Sequence, residues 1–187
     1  MRVEFWKAVK VMHKDMDNNK VKNGSRESRR MRGRRIWSVL LVLYVGFVFG
    51  NSLTPAVESS AQSMSVLELV TGVLSAAGLG NVGVTEHLIR KMAHFGEYTV
   101  LGMLLAQCLS LYGLPRVNRW QLHAMMGFLI PFVDETLQLF TEGRSGQISD
   151  VWLDCSGVLF GTMVYVGFGL WRKRRSGKNQ HVREVVS

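Results

Sequence analysis

Hydrophobic positions in this 187-residue chain concentrate in four blocks that are separated by polar stretches. The blocks cover residues 36–54, 91–111, 121–140 and 151–171. Each is close to the roughly 20 mostly apolar residues that an α-helix needs to cross a bilayer. Several blocks begin or end with Trp or Tyr, whose rings favour the membrane interface. The pattern predicts an all-α integral membrane bundle of four transmembrane helices.

The segment between the first two blocks, residues 51–90, has a weaker apolar pattern of its own. Its apolar residues recur at helical spacing, but the run is too short to cross a bilayer. We therefore predict an amphipathic helix at the outer surface, which either lies in the interface or packs over the mouth of the bundle. The residues that carry the pattern are Val66, Leu67, Leu69, Val70, Val73 and Leu74.

Basic residues predict how the helices are oriented. Residues 1–35 hold twelve Lys and Arg against four Asp and Glu, and residues 172–187 hold six against one. The connection 113–119 has two arginines and no acid, whereas the other two connections carry acids. An excess of Lys and Arg marks the cytoplasmic side. Both termini are therefore predicted to be cytoplasmic tails, the first one disordered, on either side of a transmembrane domain at 36–171.

The net charge of +9 comes mostly from these two tails. A basic protein can bind nucleic acid, but here the basic runs flank apolar blocks, as they do beside a membrane surface. We expect the lipid bilayer as partner and no nucleic acid. The oligomeric state does not follow from the sequence.

Ionisable residues inside the predicted spans gather near one end of the bundle. Such a residue costs on the order of 2.5–3.5 kcal/mol in a membrane helix, which makes it a functional candidate by default. The second span begins with Lys91, His94, Glu97 and Tyr98, which share one helix face. In the predicted orientation this face lies at the outer end.

The third and fourth spans place polar residues at the same level. The third ends with Asp134 and Gln138 on one face, and Glu135 is turned about 100° away from them. The fourth begins with Asp150 and Asp154, which are one helical turn apart. With a rise of about 1.5 Å per residue, the acids of the three spans lie roughly 5–10 Å inside the outer boundary.

Several kinds of chemistry fit these residues, and the sequence leaves them open. General acid/base catalysis would use His94, with Glu97, Asp134 and Glu135 as further catalytic candidates. A divalent metal would take His94, Glu97, Asp134 and Asp154 as ligands, since His-x-x-Glu places two ligands on one helix face. The candidates for binding alone are Lys91, Tyr98, Gln138, Arg144, Asp150 and Asp154.

A purely structural interpretation competes with these hypotheses. Lys91 and the loop residue Arg144 can neutralise acids in a closed polar network that locks the helices together. The acids outnumber the nearby cations, however, which a structural lock alone does not require. Whether the protein is an enzyme is left undecided by the sequence.

The ordered set of motifs resembles the VanZ-like family of bacterial membrane proteins. The resemblance covers about residues 36–171 and rests on motifs in each of the last three spans and in the loop before the fourth. They are Lys91-x-x-His94-Phe95-x-Glu97-Tyr98, Asp134-Glu135-x-x-Gln138-x-Phe140, Gly143-Arg144, Asp150-Val151 and Asp154-x-x-Gly157-x-x-x-Gly161. Family members often carry Asn at the position of Asp154, so this acid departs from the family pattern.

The resemblance implies a multi-pass protein of the bacterial cell membrane. The family's namesake is associated with low-level resistance to the glycopeptide teicoplanin, but the resemblance supplies no reaction. We expect a site at the outer leaflet that binds or acts on a cell-envelope component, such as a lipid-linked precursor, or the glycopeptide itself. The alternative is a non-enzymatic accessory protein whose polar cluster only holds the helices together.

Overall fold

The computed structural model describes residues 2–76, 84–144 and 146–186, and over these ranges it is helical without strands. The all-α class predicted from the sequence is therefore confirmed. Connections of three to nine residues join each helix to the next. The five helices are α1 (Arg2–Ser52), α2 (Ala56–Ala76), α3 (Glu86–Ser110), α4 (Arg116–Gln138) and α5 (Ile148–Val186).

Two of the described helices are long and apolar enough to cross a membrane, within residues 20–52 of α1 and 148–175 of α5. Helices α3 and α4 have 25 and 23 residues, so each is long enough to cross at about 1.5 Å per residue. Both are less apolar, because the placed acids, amides and histidines fall on them. Four of these polar residues are buried inside the bundle, all of them on α4: His123, Asp134, Glu135 and Gln138.

Helix α1 is continuous from Arg2 through the first apolar block. The basic segment 1–35, for which the sequence favours disorder, is thus helical where it is described. Helix α5 likewise extends beyond its apolar block into the basic C-terminal segment. Both extensions are rich in charged residues. The apolar blocks of α1 and α5 are therefore the parts that pack in the bundle.

The closest contact in the bundle is between α3 and α5. Small residues allow it: a Cβ atom at Gly161 would collide with the carbonyl oxygen of Thr99, and one at Gly102 with that of Val158. Close backbone approach through small residues is a common packing mode of membrane helices. The buried core beside this seam also draws on α1 and α4 and comprises Val48, Tyr98, Leu101, Ile130 and Val158.

Contacts between connections define the two ends of the bundle. At one end, the backbone N–H of Ala56 donates to the carbonyl of Glu142 (3.1 Å), and the Thr141 hydroxyl donates to the carbonyl of Ser52 (3.2 Å). At the opposite end, the Arg34 side chain donates to the carbonyl of Leu111 (2.7 Å). We call the first the polar end, because it carries the acids and the histidine, and the second the basic end.

Helix α2 lies at the polar end and packs against α3. Ser59, Ser63 and Val66 line a cavity between α2 and the bundle. Helix α2 also carries exposed apolar side chains, with Leu69 and Val73 69% and 62% exposed. The helix predicted between the first two spans therefore exists, and it covers the mouth of the bundle while some of its apolar side chains stay exposed.

Candidate functional site

The polar end is formed by the last turn of α1, the first turns of α3 and α5 and the last turns of α4. Antiparallel neighbours joined by short connections bring these helix ends to one level. As a result, polar residues that are far apart in the chain become buried neighbours. Those with less than a tenth of their surface exposed are Ser52, Asp134, Glu135, Gln138 and Asp154.

Four side chains from three helices converge at the centre of this end. His94 of α3, Asp134 and Glu135 of α4 and Asp154 of α5 each offer one nitrogen or oxygen atom, and these atoms all lie within 4.8 Å of one another. The His94 Nδ1 atom is 3.8 Å from the Asp154 Oδ1 atom, which is too far for a hydrogen bond. We call these four residues the converging cluster.

Several acceptors in the converging cluster have no hydrogen-bond partner among the described residues. Asp154 is fully buried and both of its carboxylate oxygens lack a partner, as does the Oδ1 atom of Asp134. The buried Tyr98 hydroxyl also lacks one. Buried polar atoms are nearly always paired, so such groups call for an explanation.

Glu135 is held in the cluster by neighbours that its helical position does not reveal. Its Oε1 atom accepts from the Gln138 side chain (3.1 Å) and its Oε2 atom accepts from the backbone N–H of Gln147 (3.0 Å). The loop approaches α4 closely because residue 146 is glycine: a Cβ there would collide with the Glu135 carbonyl. Asp134 and Glu135 thus both face buried surroundings, although they point about 100° apart on the helix.

Glu97 lies outside the converging cluster. Its Oε1 atom accepts from the Asn51 side chain of α1 (2.9 Å), and its backbone carbonyl accepts from the Tyr44 hydroxyl (2.9 Å). Glu97 and Asn51 line the cavity beneath α2. Glu97 and His94 lie on the same face of α3 but have different neighbours. His94 lies near acids of α4 and α5, whereas Glu97 binds Asn51 of α1.

Lys91 and Asp150 form an ion pair at the rim. The Lys91 Nζ atom lies 3.0 Å from the Asp150 Oδ1 atom, and both side chains are about one-third exposed or less. This pair joins the first turns of α3 and α5. A partly exposed ion pair of this kind stabilises the fold by at most about 1 kcal/mol.

Two cavities open beside the cluster, and they share part of their walls. One, of about 140 Å³, lies between α3, α4, α5 and the loop before α5. The other, of about 430 Å³, lies between α1, α2 and α3. Arg90, His94 and Arg144 line both, and His94 and Glu135 connect the smaller cavity to the converging cluster.

Arg90 and Arg144 both contribute guanidinium groups to the shared wall, and Arg90 also forms an ion pair with Glu86 one turn earlier on α3 (2.8 Å). The Nε atom of each is buried without a hydrogen-bond partner among the described residues. Burial, followed by the charge of Arg90, lowers the pKa of the Arg144 guanidinium, and the charges of Asp134 and Glu135 oppose that shift. The loop turns sharply next to Arg144, where Gly143 adopts φ 73°, a conformation that glycine adopts without strain.

Arg90, Ser52 and Gln147 belong to the site but are not among the candidates from the sequence. Arg90 lies one turn before His94 on α3, and this position could have identified it as a site residue from the sequence. Ser52 ends the first predicted span at the same level as the acids, which is its signal in the sequence. Gln147 has no comparable signal, because only the meeting of helix ends and loops brings it to the acids. The remaining candidates, Tyr98 and Gln138, lie at the polar end as buried neighbours of the cluster.

These features define a class of helical membrane protein with a buried polar cluster at one end of its bundle. The family model described as VanZ/LLP1 matches residues 37–172. The chain therefore belongs to the VanZ/LLP1 family, which confirms the resemblance found in its motifs. None of the curated proteins and none of the solved structures matches it.

Proposed function

We propose that the chain is a multi-pass protein of the bacterial cell membrane in which α1, α3, α4 and α5 cross the bilayer. Both termini would be cytoplasmic, and the polar end would face outward. The charge distribution supports this orientation, because the basic end holds the arginines of α1, the α3–α4 connection and the basic extension of α5.

Within this arrangement, the polar end binds an anionic headgroup of a cell-envelope component. The observation that carries the proposal is the shared cavity wall, because Arg90 and Arg144 line both cavities and the buried Nε atom of each has no hydrogen-bond partner among the described residues. Like charges held together in a partly buried wall repel each other, and a bound anion would offset that repulsion. Guanidinium groups also match the geometry of phosphate oxygens.

A phosphate or diphosphate attached to a lipid is the substrate class that best fits this site. The larger cavity lies under α2, which exposes the apolar side chains of Leu69 and Val73, so a lipid chain can remain in the membrane while its headgroup reaches the arginines. Lipid-linked wall precursors and anionic phospholipids share this chemistry. His94 lies beside both cavities and can exchange a proton with a bound phosphate.

Binding of a soluble polyprenyl diphosphate tests the proposal. Farnesyl diphosphate would be titrated into the protein in nanodiscs of phosphatidylcholine, and short-chain phosphatidylglycerol would be titrated in parallel. Arg144→Ala should weaken binding about tenfold or more, because a hydrogen bond to a charged group contributes about 1.5–3 kcal/mol. Arg116→Ala, at the exposed start of α4, is the charge-matched control and should bind as the parent does.

The comparison of the two ligands separates the possible sources of the headgroup. Preference for the diphosphate supports a lipid-linked precursor, and preference for phosphatidylglycerol supports a phospholipid. Equal affinity of the Arg144→Ala variant and the parent for both ligands would overturn the proposal.

A structural role is the second candidate, and one observation favours it. Side chains of α1, α3, α4 and α5 are linked at this end by Asn51–Glu97, Lys91–Asp150 and Gln138–Ser52 contacts, so the network also holds the bundle together. Teicoplanin tolerance of a susceptible host that expresses the protein distinguishes the two roles. Under the binding proposal, Arg144→Ala leaves membrane levels intact but abolishes any gain in tolerance. Under the structural role, tolerance falls only together with the amount of folded protein.

A further inference from the structure

The converging cluster raises a question that headgroup binding does not answer. Three carboxylates lie together in a buried position, although burial of unpaired charge is strongly unfavourable. The nearby cations do not pair with them: Lys91 is paired with Asp150, and Arg144 forms no ion pair with the described acids. The fully buried Asp154 has no hydrogen-bond donor for either oxygen in the part of the chain that the structure describes.

We propose that His94, Asp134, Glu135 and Asp154 bind a divalent transition-metal ion. The ion would lie between the four ligand atoms, in a cluster where both carboxylate oxygens of Asp154 and one of Asp134 have no partner among the described residues. A metal ion is a small, concentrated positive charge, and it satisfies carboxylate oxygens without a donor hydrogen. This site goes beyond the headgroup proposal, since it can exist whether or not the cavities bind an anion.

The distances in the cluster suit such an ion. Ligand atoms about 2.1 Å from a metal place opposed ligands about 4.2 Å apart. The four atoms here lie within 4.8 Å of one another, and His94 Nδ1 is 3.8 Å from Asp154 Oδ1. Small side-chain adjustments therefore bring all four into coordination range.

The set of donors favours one class of metal. Calcium and magnesium prefer oxygen ligands alone, whereas an imidazole nitrogen suits first-row transition metals. Three carboxylates with one imidazole resemble the mixed sites that helical bundles use for iron and manganese. His94 and Glu135 also line the smaller cavity, which gives the ion a path to the site from the polar end.

The orienting contacts around the ligands support the same conclusion. Glu135 accepts hydrogen bonds from Gln138 and from the backbone of Gln147, so its carboxylate is fixed before an ion arrives. Outer contacts of this kind tune and position metal ligands. Gln138 also reaches the Asp134 Oδ2 atom at 3.5 Å, while the Oδ1 atom of Asp134 has no hydrogen-bond partner among the described residues.

The test uses the full-length, tag-free protein in detergent after treatment with a chelator. Mn²⁺ and, separately, Zn²⁺ would be added and removed by dialysis, and bound metal would be measured by mass spectrometry. The Mn²⁺ sample also gives an electron paramagnetic resonance spectrum. We expect one tightly held ion per chain, a higher midpoint of thermal unfolding, and no displacement by excess Mg²⁺.

Two isosteric variants of neighbouring acids provide the sharpest comparison. Glu135→Gln removes a ligand and should lower metal affinity at least tenfold, whereas Glu97→Gln alters an acid outside the cluster and should bind one ion as the parent does. Both changes preserve side-chain volume, and Asp154→Asn provides a second ligand variant. Absence of a stoichiometric ion in the parent would overturn the proposal, as would equal loss in the Glu97→Gln and Glu135→Gln variants.

The outcome is separable from that of the headgroup proposal. Metal content and spectra are measured without any lipid, whereas farnesyl diphosphate binding is measured against Arg144, which is not a ligand. A protein that binds metal but no diphosphate retains this inference and loses the proposed function. The reverse result retains the proposed function and loses this inference.

Discussion

Asp154 illustrates how strongly a single residue depends on its tertiary surroundings. It lies one turn into α5, where a helix end near an interface readily accepts an acid. In the folded chain it is fully buried against α3 and α4 and has no hydrogen-bond donor among the described residues. Such a residue destabilises the fold unless a ligand compensates for it.

The stability of the metal-free protein should therefore increase when Asp154 is replaced by Asn. The change removes an unpaired buried carboxylate and keeps its shape, so we expect a gain on the order of 1–3 kcal/mol. Asp150→Asn is the control, because that carboxylate is paired with Lys91 and partly exposed. It should give no gain. The measurement is the midpoint of thermal unfolding in detergent with chelator present.

In the presence of Mn²⁺ the parent should become more stable than the Asp154→Asn variant. An ion that binds only the folded parent stabilises it by mass action. A metal-free Asp154→Asn variant that unfolds below the parent would contradict this account of the buried acid. It would show that the carboxylate stabilises the fold through a contact within the protein.

At the scale of elements, the seam between α3 and α5 determines where the site residues lie. Gly157 faces α3 so closely that a Cβ atom would come within 2.8 Å of the Phe95 carbonyl oxygen. Gly161 is one turn further along the same face and meets Thr99. Because this seam holds the two helices together, His94 and Asp154 approach each other across it.

A single methyl group in this seam should separate the helices. Gly161→Ala places a Cβ atom onto the Thr99 carbonyl, and we expect a loss of about 1–3 kcal/mol from overpacking. Gly167→Ala is the matched control, since it lies on the same helix with no described atom within 4 Å of an added Cβ. Thermal unfolding of both variants in detergent provides the measurement. Equal stability of the two variants would contradict the close packing of α3 on α5.

At the scale of the whole molecule, the bundle separates its charges between two ends. The basic end gathers the arginines of α1 beside the α3–α4 connection, where Arg30 and Arg34 both donate to the Leu111 carbonyl. The polar end gathers the acids, the cavities and α2. This separation is the basis of the proposed orientation in the membrane.

Labelling of single cysteines from outside the cell tests that orientation. In a background with Cys108→Ala and Cys155→Ala, we expect Glu142→Cys to react with a membrane-impermeant maleimide in intact cells. Asn118→Cys, in the exposed first turn of α4, should react only after permeabilisation. The opposite pattern would place the polar end in the cytoplasm and remove the argument for an envelope component.

The sequence by itself determined the helices and their approximate ends, because hydrophobic block length and charge are local properties. It also determined the family, since the ordered motifs reappear in the family match over residues 37–172. The common depth of the acids in the three spans followed from the rise per residue of a helix and from the predicted direction of each span. These features do not depend on how one helix is rotated against the next.

The tertiary structure decided which of those acids meet. The sequence makes Glu97 a metal-ligand candidate beside His94 and turns Glu135 about 100° away from Asp134. In the structure, Asn51 holds Glu97 towards α1 and the loop at Gln147 holds Glu135 in the cluster. Helical spacing assigns a side chain to a face, whereas its partners depend on neighbouring helices and loops. The sequence therefore determined the level of the polar residues in the bundle, but it did not determine which side chains converge there, and Glu135 is one of them.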